Sequence, residues 1–195
     1  MQLKMYFFPE RDRIPQLEVP EGFEVRALKR GDEEQYLAMR PMSGFTEWDG
    51  ARLDKYLNGP AKRVMLVVDK SSGTFAQAAS AESYKEEGTG QFGWLLSNPA
   101  YRGRGLGRTI SIATMQALKE AGFKRFVIFT DDFRVPALRI YLKLGWHPVY
   151  HADDMEGRWE ALGRQLELDF TPTDDNGTPM AQGHLHGRVI SAAAE

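Results

Sequence analysis

Three arginines and three glycines interleave in Asn98-Pro-Ala-Tyr-Arg-Gly-Arg-Gly-Leu-Gly-Arg-Thr-Ile110. Glycine lets a backbone turn tightly and bring bare amides close to a ligand. The run precedes a long amphipathic stretch, so Gly103, Gly105 and Gly107 stand where a helix begins. A helix start adds unpaired N–H groups and the positive end of its dipole. Arg102, Arg104 and Arg108 add full positive charge. This chemistry suits a pyrophosphate-bearing ligand held by Arg102, Gly103, Arg104, Gly105, Leu106, Gly107, Arg108 and Thr109. The competing reading is a glycine-rich turn that only caps a helix.

Spacing separates the phosphate motifs that could apply. A kinase-type P-loop needs Gly-Lys-Ser/Thr, and the segment holds no lysine. The dinucleotide fingerprint requires glycine at position 108, where Arg108 stands. An arginine–glycine nucleic-acid segment calls for many repeats on a basic chain, whereas the net charge is -2. What remains is Arg-x-x-Gly-x-Gly over Arg102–Gly107.

The elements that must position this loop follow from periodicity. Gln91-Phe-Gly-Trp-Leu-Leu-Ser97 reads as the strand before it, and Leu106, Ile110, Ala113, Ala117 and Ala121 as the helix after it, with Gly122 ending the helix. Arg125–Thr130 is a β-branched and aromatic strand. Asp131 and Asp132 offer caps for a helix carrying Ala137, Tyr141 and Leu144, stopped by Gly145. Trp146–Tyr150 reads as another strand. Upstream, Phe23, Val25 and Ala27 alternate as a first strand, Asp32 caps a helix to about Arg40, and a short helix spans about Ala51 to Leu57. Arg63–Asp69 and Thr74–Ala81 form a hairpin, and Ser83–Gly90 is a connection. This order predicts an α/β fold.

The loop resembles the pyrophosphate loop of the GNAT acyl-CoA-dependent N-acyltransferases. Arg134-Val-Pro-Ala137, Tyr141 and Gly145-Trp146 match a second GNAT pattern in spacing, with Arg134 where asparagine is usual. The likeness runs over roughly residues 23 to 151 and implies a central mixed twisted sheet flanked by helices. It further implies acetyl-CoA as cosubstrate, contacted also by Leu95, Leu96, Ser97, Asp132, Arg134, Ala137 and Tyr141. Amides around Leu96 and Ser97 would meet the thioester oxygen at a strand bulge.

Acyl transfer to an amine needs a proton acceptor for the amine and a donor for the leaving thiolate. Tyr141 stands where many GNAT enzymes place that donor; a core tyrosine is the alternative. The family's glutamate, eleven residues before Arg102, is Gln91 here. Glu47 and Asp49 are the substitutes, because the loop between the first two helices borders the acceptor cleft in this fold. Phe45, Glu47, Trp48 and Asp49 would attract a cationic amine; solvated loop charges beside one packed tryptophan are the bland alternative. His147 and His151 flank a strand, and His184 and His186 lie near the end of the chain, without metal-ligand spacing.

Composition narrows the classes. The 195 residues suffice for one domain with a sizeable core. With 25 basic and 27 acidic side chains, no bulk attraction to nucleic acid or membrane is expected. Absence of cysteine removes disulfides, thiolate metal sites and a cysteine nucleophile. The opening residues carry too short an apolar run for a secretory signal. The expectation is a cytoplasmic N-acetyltransferase, monomer or homodimer, using no metal and acting on a small-molecule amine, with an amino acid or a protein amino group as the other acceptors open to it. A non-catalytic acyl-CoA-binding module is the alternative that Gln91 and Arg134 motivate. Residues 1–22 are expected as an arm packing through Tyr6, Phe7 and Phe8, residues 23–170 as the catalytic domain, and 171–195 as a flexible tail. Within the domain, Met155, Trp159, Leu162 and Leu166 suit a helix, while Leu166, Leu168 and Phe170 alternate like a strand.

Overall fold

A computed structural model describes residues 1–180, 182–185 and 188–191, the last two stretches and Ala61 as backbone. In chain order the elements are β1 (Leu3–Phe7), β2 (Phe23–Ala27), α1 (Glu33–Met42), α2 (Gly50–Leu57), β3 (Ala61–Asp69), β4 (Phe75–Ser83) and β5 (Thr89–Ser97), then α3 (Leu106–Glu120), β6 (Arg125–Thr130), α4 (Val135–Lys143), β7 (His147–Pro148), α5 (Met155–Leu166), β8 (Gln182–Leu185) and β9 (Arg188–Ser191). The main sheet is mixed and flanked by helices, with strand order β2-β3-β4-β5-β6-β1-β7. The chain divides into two compact units, Ile14–Phe126 and Met1–Arg13 with the chain from Val127.

The larger unit is an antiparallel meander, β2 to β5, with helices on both faces. Leu66 opposes Ala78, which opposes Leu96, and these side chains point to one face. There they pack with Val64, Val68 and Phe75 against Tyr36 and Met39 of α1 and Leu53 and Tyr56 of α2. Alanines at 76, 78, 79 and 81 keep β4 thin, so helices can approach it closely. Asp49 caps α2 by accepting from the Arg52 amide at 2.7 Å. Asp32 precedes α1, but its carboxylate grips the Arg26 guanidinium and the Lys29 amide and makes no cap bond to the helix.

The second unit places β1 antiparallel to β7, with Met5 opposite Pro148. The opening residues are therefore not only an arm: Leu3–Phe7 is a strand with all five side chains buried. Lys4 fits such a place by pairing its ammonium with Asp175 at 2.7 Å. The Trp146–Tyr150 strand shrinks to two residues, with Val149 bridging Thr173. Between Met155 and Phe170 the helical reading wins, because Glu167 turns left-handed (φ 52°) and ends α5 before an alternating strand can form.

Residues 171–180 depart from the expected flexible tail. Thr173 is fully buried, donates its amide to Pro148 at 2.8 Å and accepts from the Tyr150 amide at 3.0 Å. The Asp174 carboxylate accepts from the Asn176 and Thr178 amides, fixing the turn that follows. Beyond it, β8 and β9 form a hairpin; His184 lies on β8, and His186 lies outside the described residues.

Candidate active site

The Arg102–Arg108 loop lies in the larger unit and is anchored on both sides. Asn98 leaves β5 and accepts from the Ala100 amide at 3.1 Å, and Tyr101 hydrogen-bonds Asp69 at 3.1 Å while its ring meets Phe23 edge-on. Gly103 and Gly105 then take φ of 77° and 76°, a conformation that side chains disfavour. A Cβ at either would meet nothing within 4 Å, so glycine is needed for the turn and the flank is open. Gly105 is the N-cap of α3, and Gly107 is an ordinary residue of its first turn. The amides from Gly103 to Gly107 find no acceptor among the described residues. Arg102, Arg104 and Arg108 are exposed around them. Free amides, a helix dipole and three cations fit a pyrophosphate. Thr109 does not join them: its hydroxyl donates to the Glu18 carbonyl at 3.1 Å. Leu106 is buried and could contribute only its amide.

The strand before the loop is bulged, but earlier than expected. Ser80 opposes Gly93 and Ala78 opposes Leu96, so Trp94 and Leu95 together face Ala79. Trp94 has φ of 47°, a strained value for a large side chain. Leu96 sits wholly in the core, and the Ser97 amide is taken by the Ser43 hydroxyl at 2.8 Å. The irregular backbone therefore belongs to Trp94 and Leu95, not to Leu96 and Ser97.

A carboxylate that the sequence reading passed over lies on the same sheet. Glu82 stands directly across from Gln91, so both project from the same face. It is 6% exposed, and its Oε1 accepts from Tyr56 and Ser80, each at 2.6 Å. Burial holds its pKa above the ordinary value, and the two hydroxyls offset this only in part. Gly93 makes the room: a Cβ there would fall 1.7 Å from Glu82 Oε1. Tyr56 in turn keeps its proton to high pH, because it is buried beside that carboxylate.

The substitutes foreseen for Gln91 are placed less favourably. Glu47 is exposed and makes no hydrogen bond or ion pair with the described residues, and exposed Asp49 is committed to capping α2. Phe45 and Trp48 meet Trp94 edge-on, with centroids 5.4 and 5.3 Å apart. The aromatic faces expected to draw in a cationic amine already hold a cation, Arg40, whose Cζ lies 3.6 Å from the Trp48 centroid and 4.4 Å from that of Trp94. A cavity of about 420 Å³ lies elsewhere in this unit, between Val25, Met65, Ala113 and Ala117, and none of the expected site residues lines it.

Residues 26–146 match the family model described as the Acetyltransferase (GNAT) family. The chain belongs to that family. A mycothiol acetyltransferase of Rhodococcus erythropolis is 24% identical over 155 residues, covering 72% of this chain and 52% of the relative. One from Thermobispora bispora is 28% identical over 149 residues, 68% and 49% of the two chains. This GNAT chain thus spans about half the length of those relatives. The fold also matches the crystal structure of a GCN5-related N-acetyltransferase from Sphaerobacter thermophilus, with TM-score 0.62 and 20% identity over 75% of this chain and 48% of that one.

The remaining GNAT positions lie in the second unit. Asp132 caps no helix; it binds Arg158, which holds its carboxyl below the usual range, and Arg134 is the N-cap of α4. Arg134 itself reaches Asp131 at 3.4 Å, and Ala137 is half-buried in the first turn of α4. Tyr141 is buried near Trp146, and desolvation raises its pKa, so the phenol stays protonated near neutrality.

Glu82 was hidden by a boundary. Ending the strand at Ala81 and starting the connection at Ser83 leaves Glu82 in neither, whereas β4 continues to Ser83. The signal available was the alternation of Ser80 and Glu82 on an alanine-rich strand. Arg40 was missed because a cation in a helix's last turn reads as a solvated partner of the dipole. Among the described residues no group of His, Asp or Glu is arranged to hold a metal ion, and no helix is long and apolar enough to cross a membrane.

Proposed function

We propose that the protein is an acetyl-CoA-dependent N-acetyltransferase that acylates the primary amine of a small molecule directly, without an acyl-enzyme. Glu82 is the observation that carries this reading over a binding module that has lost its base. Gln91 cannot accept the proton, but the carboxylate across from it can. Burial holds its pKa above the ordinary carboxylate value, the direction that makes it a stronger proton acceptor.

In this reading the loop from Arg102 to Arg108 holds the pyrophosphate of acetyl-CoA, and the bulged backbone at Trp94 and Leu95 lies along the pantetheine arm. Glu82 takes a proton from the acceptor ammonium, and the freed amine attacks the thioester carbonyl carbon. The C–N bond forms, the C–S bond breaks, Tyr141 protonates the departing thiolate, and the proton shed by the new amide nitrogen passes through solvent to restore the tyrosine. Backbone amides at the bulge steady the oxyanion between these steps. Relatives named mycothiol acetyltransferases support a small-molecule acceptor.

Release of free CoA in the presence of a panel of primary amines tests the proposal, with the acetylated product identified by mass. The enzyme reading expects amine-dependent release that collapses in Glu82→Gln. Binding of acetyl-CoA with no turnover of any amine would favour the module.

A further inference from the structure

Arg40 sits in the last turn of α1 with none of its surface exposed. Its Nε donates to the Thr46 carbonyl at 3.0 Å, but Nη1 and Nη2 find no partner among the described residues. The Tyr36 hydroxyl, one helical turn earlier, is buried beside the same guanidinium, and Trp48 Nε1 is buried without a partner among the described residues. Two guanidinium nitrogens and an indole N–H are thus buried, with the neutral Tyr36 oxygen as the acceptor beside the guanidinium and no carboxylate bonded to it among the described residues. A buried cation left in this way is costly, and aromatic faces compensate only part of its lost hydration. Its neighbours on the loop do not neutralise it, because Glu47 is exposed and Asp49 caps α2.

We propose that this donor cluster binds a carboxylate of the acceptor, making the substrate an amine that also carries a carboxylate, such as an α-amino acid. The inference rests on the acetyltransferase reading and names its substrate class. One guanidinium balances one negative charge, and its planar fork matches a carboxylate through two parallel hydrogen bonds. The cluster also leads toward the base. Trp48 meets the Tyr56 ring at 5.2 Å, and the Tyr56 hydroxyl binds Glu82. In this proposal a molecule anchored at Arg40 extends past Tyr56 and presents its amine to Glu82. Thr46 and the rings of Phe45 and Trp48 lie against the guanidinium, so binding displaces Trp48 and changes its emission.

Intrinsic tryptophan fluorescence of the full chain, titrated with common α-amino acids and with their carboxamides, tests this without requiring turnover. At least one free acid should bind about ten- to a hundredfold more tightly than its carboxamide. That preference should vanish in Arg40→Gln and return in part in Arg40→Lys. In turnover, Arg40→Gln should raise KM for the acid and leave kcat nearly unchanged. Equal affinity for acids and carboxamides, a preference that survives Arg40→Gln, or no saturable change with any acid would each overturn the proposal. Acetyl-CoA-induced thermal stabilisation, measured on the same samples, keeps this failure distinct: if it persists, only the acceptor class is wrong. A purely structural arginine would lower the thermal midpoint of Arg40→Gln and leave the acid-to-carboxamide ratio unchanged.

Discussion

Replacing Glu82 by glutamine keeps the shape of a buried side chain and removes its charge, which separates its catalytic from its structural contribution. Glutamine Oε1 can still accept from Tyr56 and Ser80, so the hydrogen bonds at 2.6 Å have a successor. The base is lost, however, and a positioned general base contributes about 10²–10⁴-fold to rate. The barrier should therefore rise by about 2.7–5.4 kcal/mol, read as kcat for CoA release with both substrates saturating. Stability should move the other way. Burial raises the Glu82 pKa above its ordinary value of 4.5, so the native chain holds this proton more tightly than the unfolded chain. Stability is then lost as pH rises from the ordinary value through the raised one, and above that window the loss is complete. Glu82→Gln has no such proton to lose, so its thermal midpoint near neutral pH should match or exceed that of the parent. The acidic limb of the pH–rate profile should also disappear. A variant with parental kcat and an unchanged acidic limb would refute the assignment of Glu82 as base.

Gly93→Ala should disable the same site from the neighbouring strand, since its methyl group would collide with Glu82 Oε1. A loss of about 1–3 kcal/mol in denaturant unfolding and a fall in turnover are expected; parental values for both would show that Glu82 has other room. Tyr141→Phe should lower kcat with amine and acetyl-CoA saturating, and unchanged turnover would remove the tyrosine from the proton path. A chain ending at Phe170 should unfold at lower temperature and lose at least about 2 kcal/mol, because the Pro148 carbonyl and Tyr150 amide lose their bonds to Thr173. An unchanged midpoint would return that segment to the role of a loose tail.

The parts legible in the sequence are those whose cause is local. Gly103 and Gly105 are needed for a positive φ, a demand visible in any chain that turns from a strand into a helix there. The meander and α3 follow from periodicity. What escaped depended on contacts distant in sequence. Leu3–Phe7 lacks alternation because every side chain is buried, and Lys4 is accommodated there by Asp175, distant in sequence, and by the Tyr6 ring. Residues 171–180 are polar enough to read as a tail, yet Thr173 is paired at both ends of its peptide. Arg40 and Glu82 look like ordinary surface charges until α1, α2 and β4 are brought together. The bulge was foreseen in kind but misplaced, since register is set by the partner strand and not by the residues of β5 alone.

The central claim is that the loop from Arg102 to Arg108 binds acetyl-CoA, and the thermal unfolding midpoint tests it most directly. Measured with acetyl-CoA at about 100 times its dissociation constant, binding should stabilise the native state by about 2.7 kcal/mol. For a chain of this length the midpoint should rise by about 5–10 °C, with no comparable rise for ATP or NAD. No shift with acetyl-CoA, or an equal shift with all three ligands, would contradict the account.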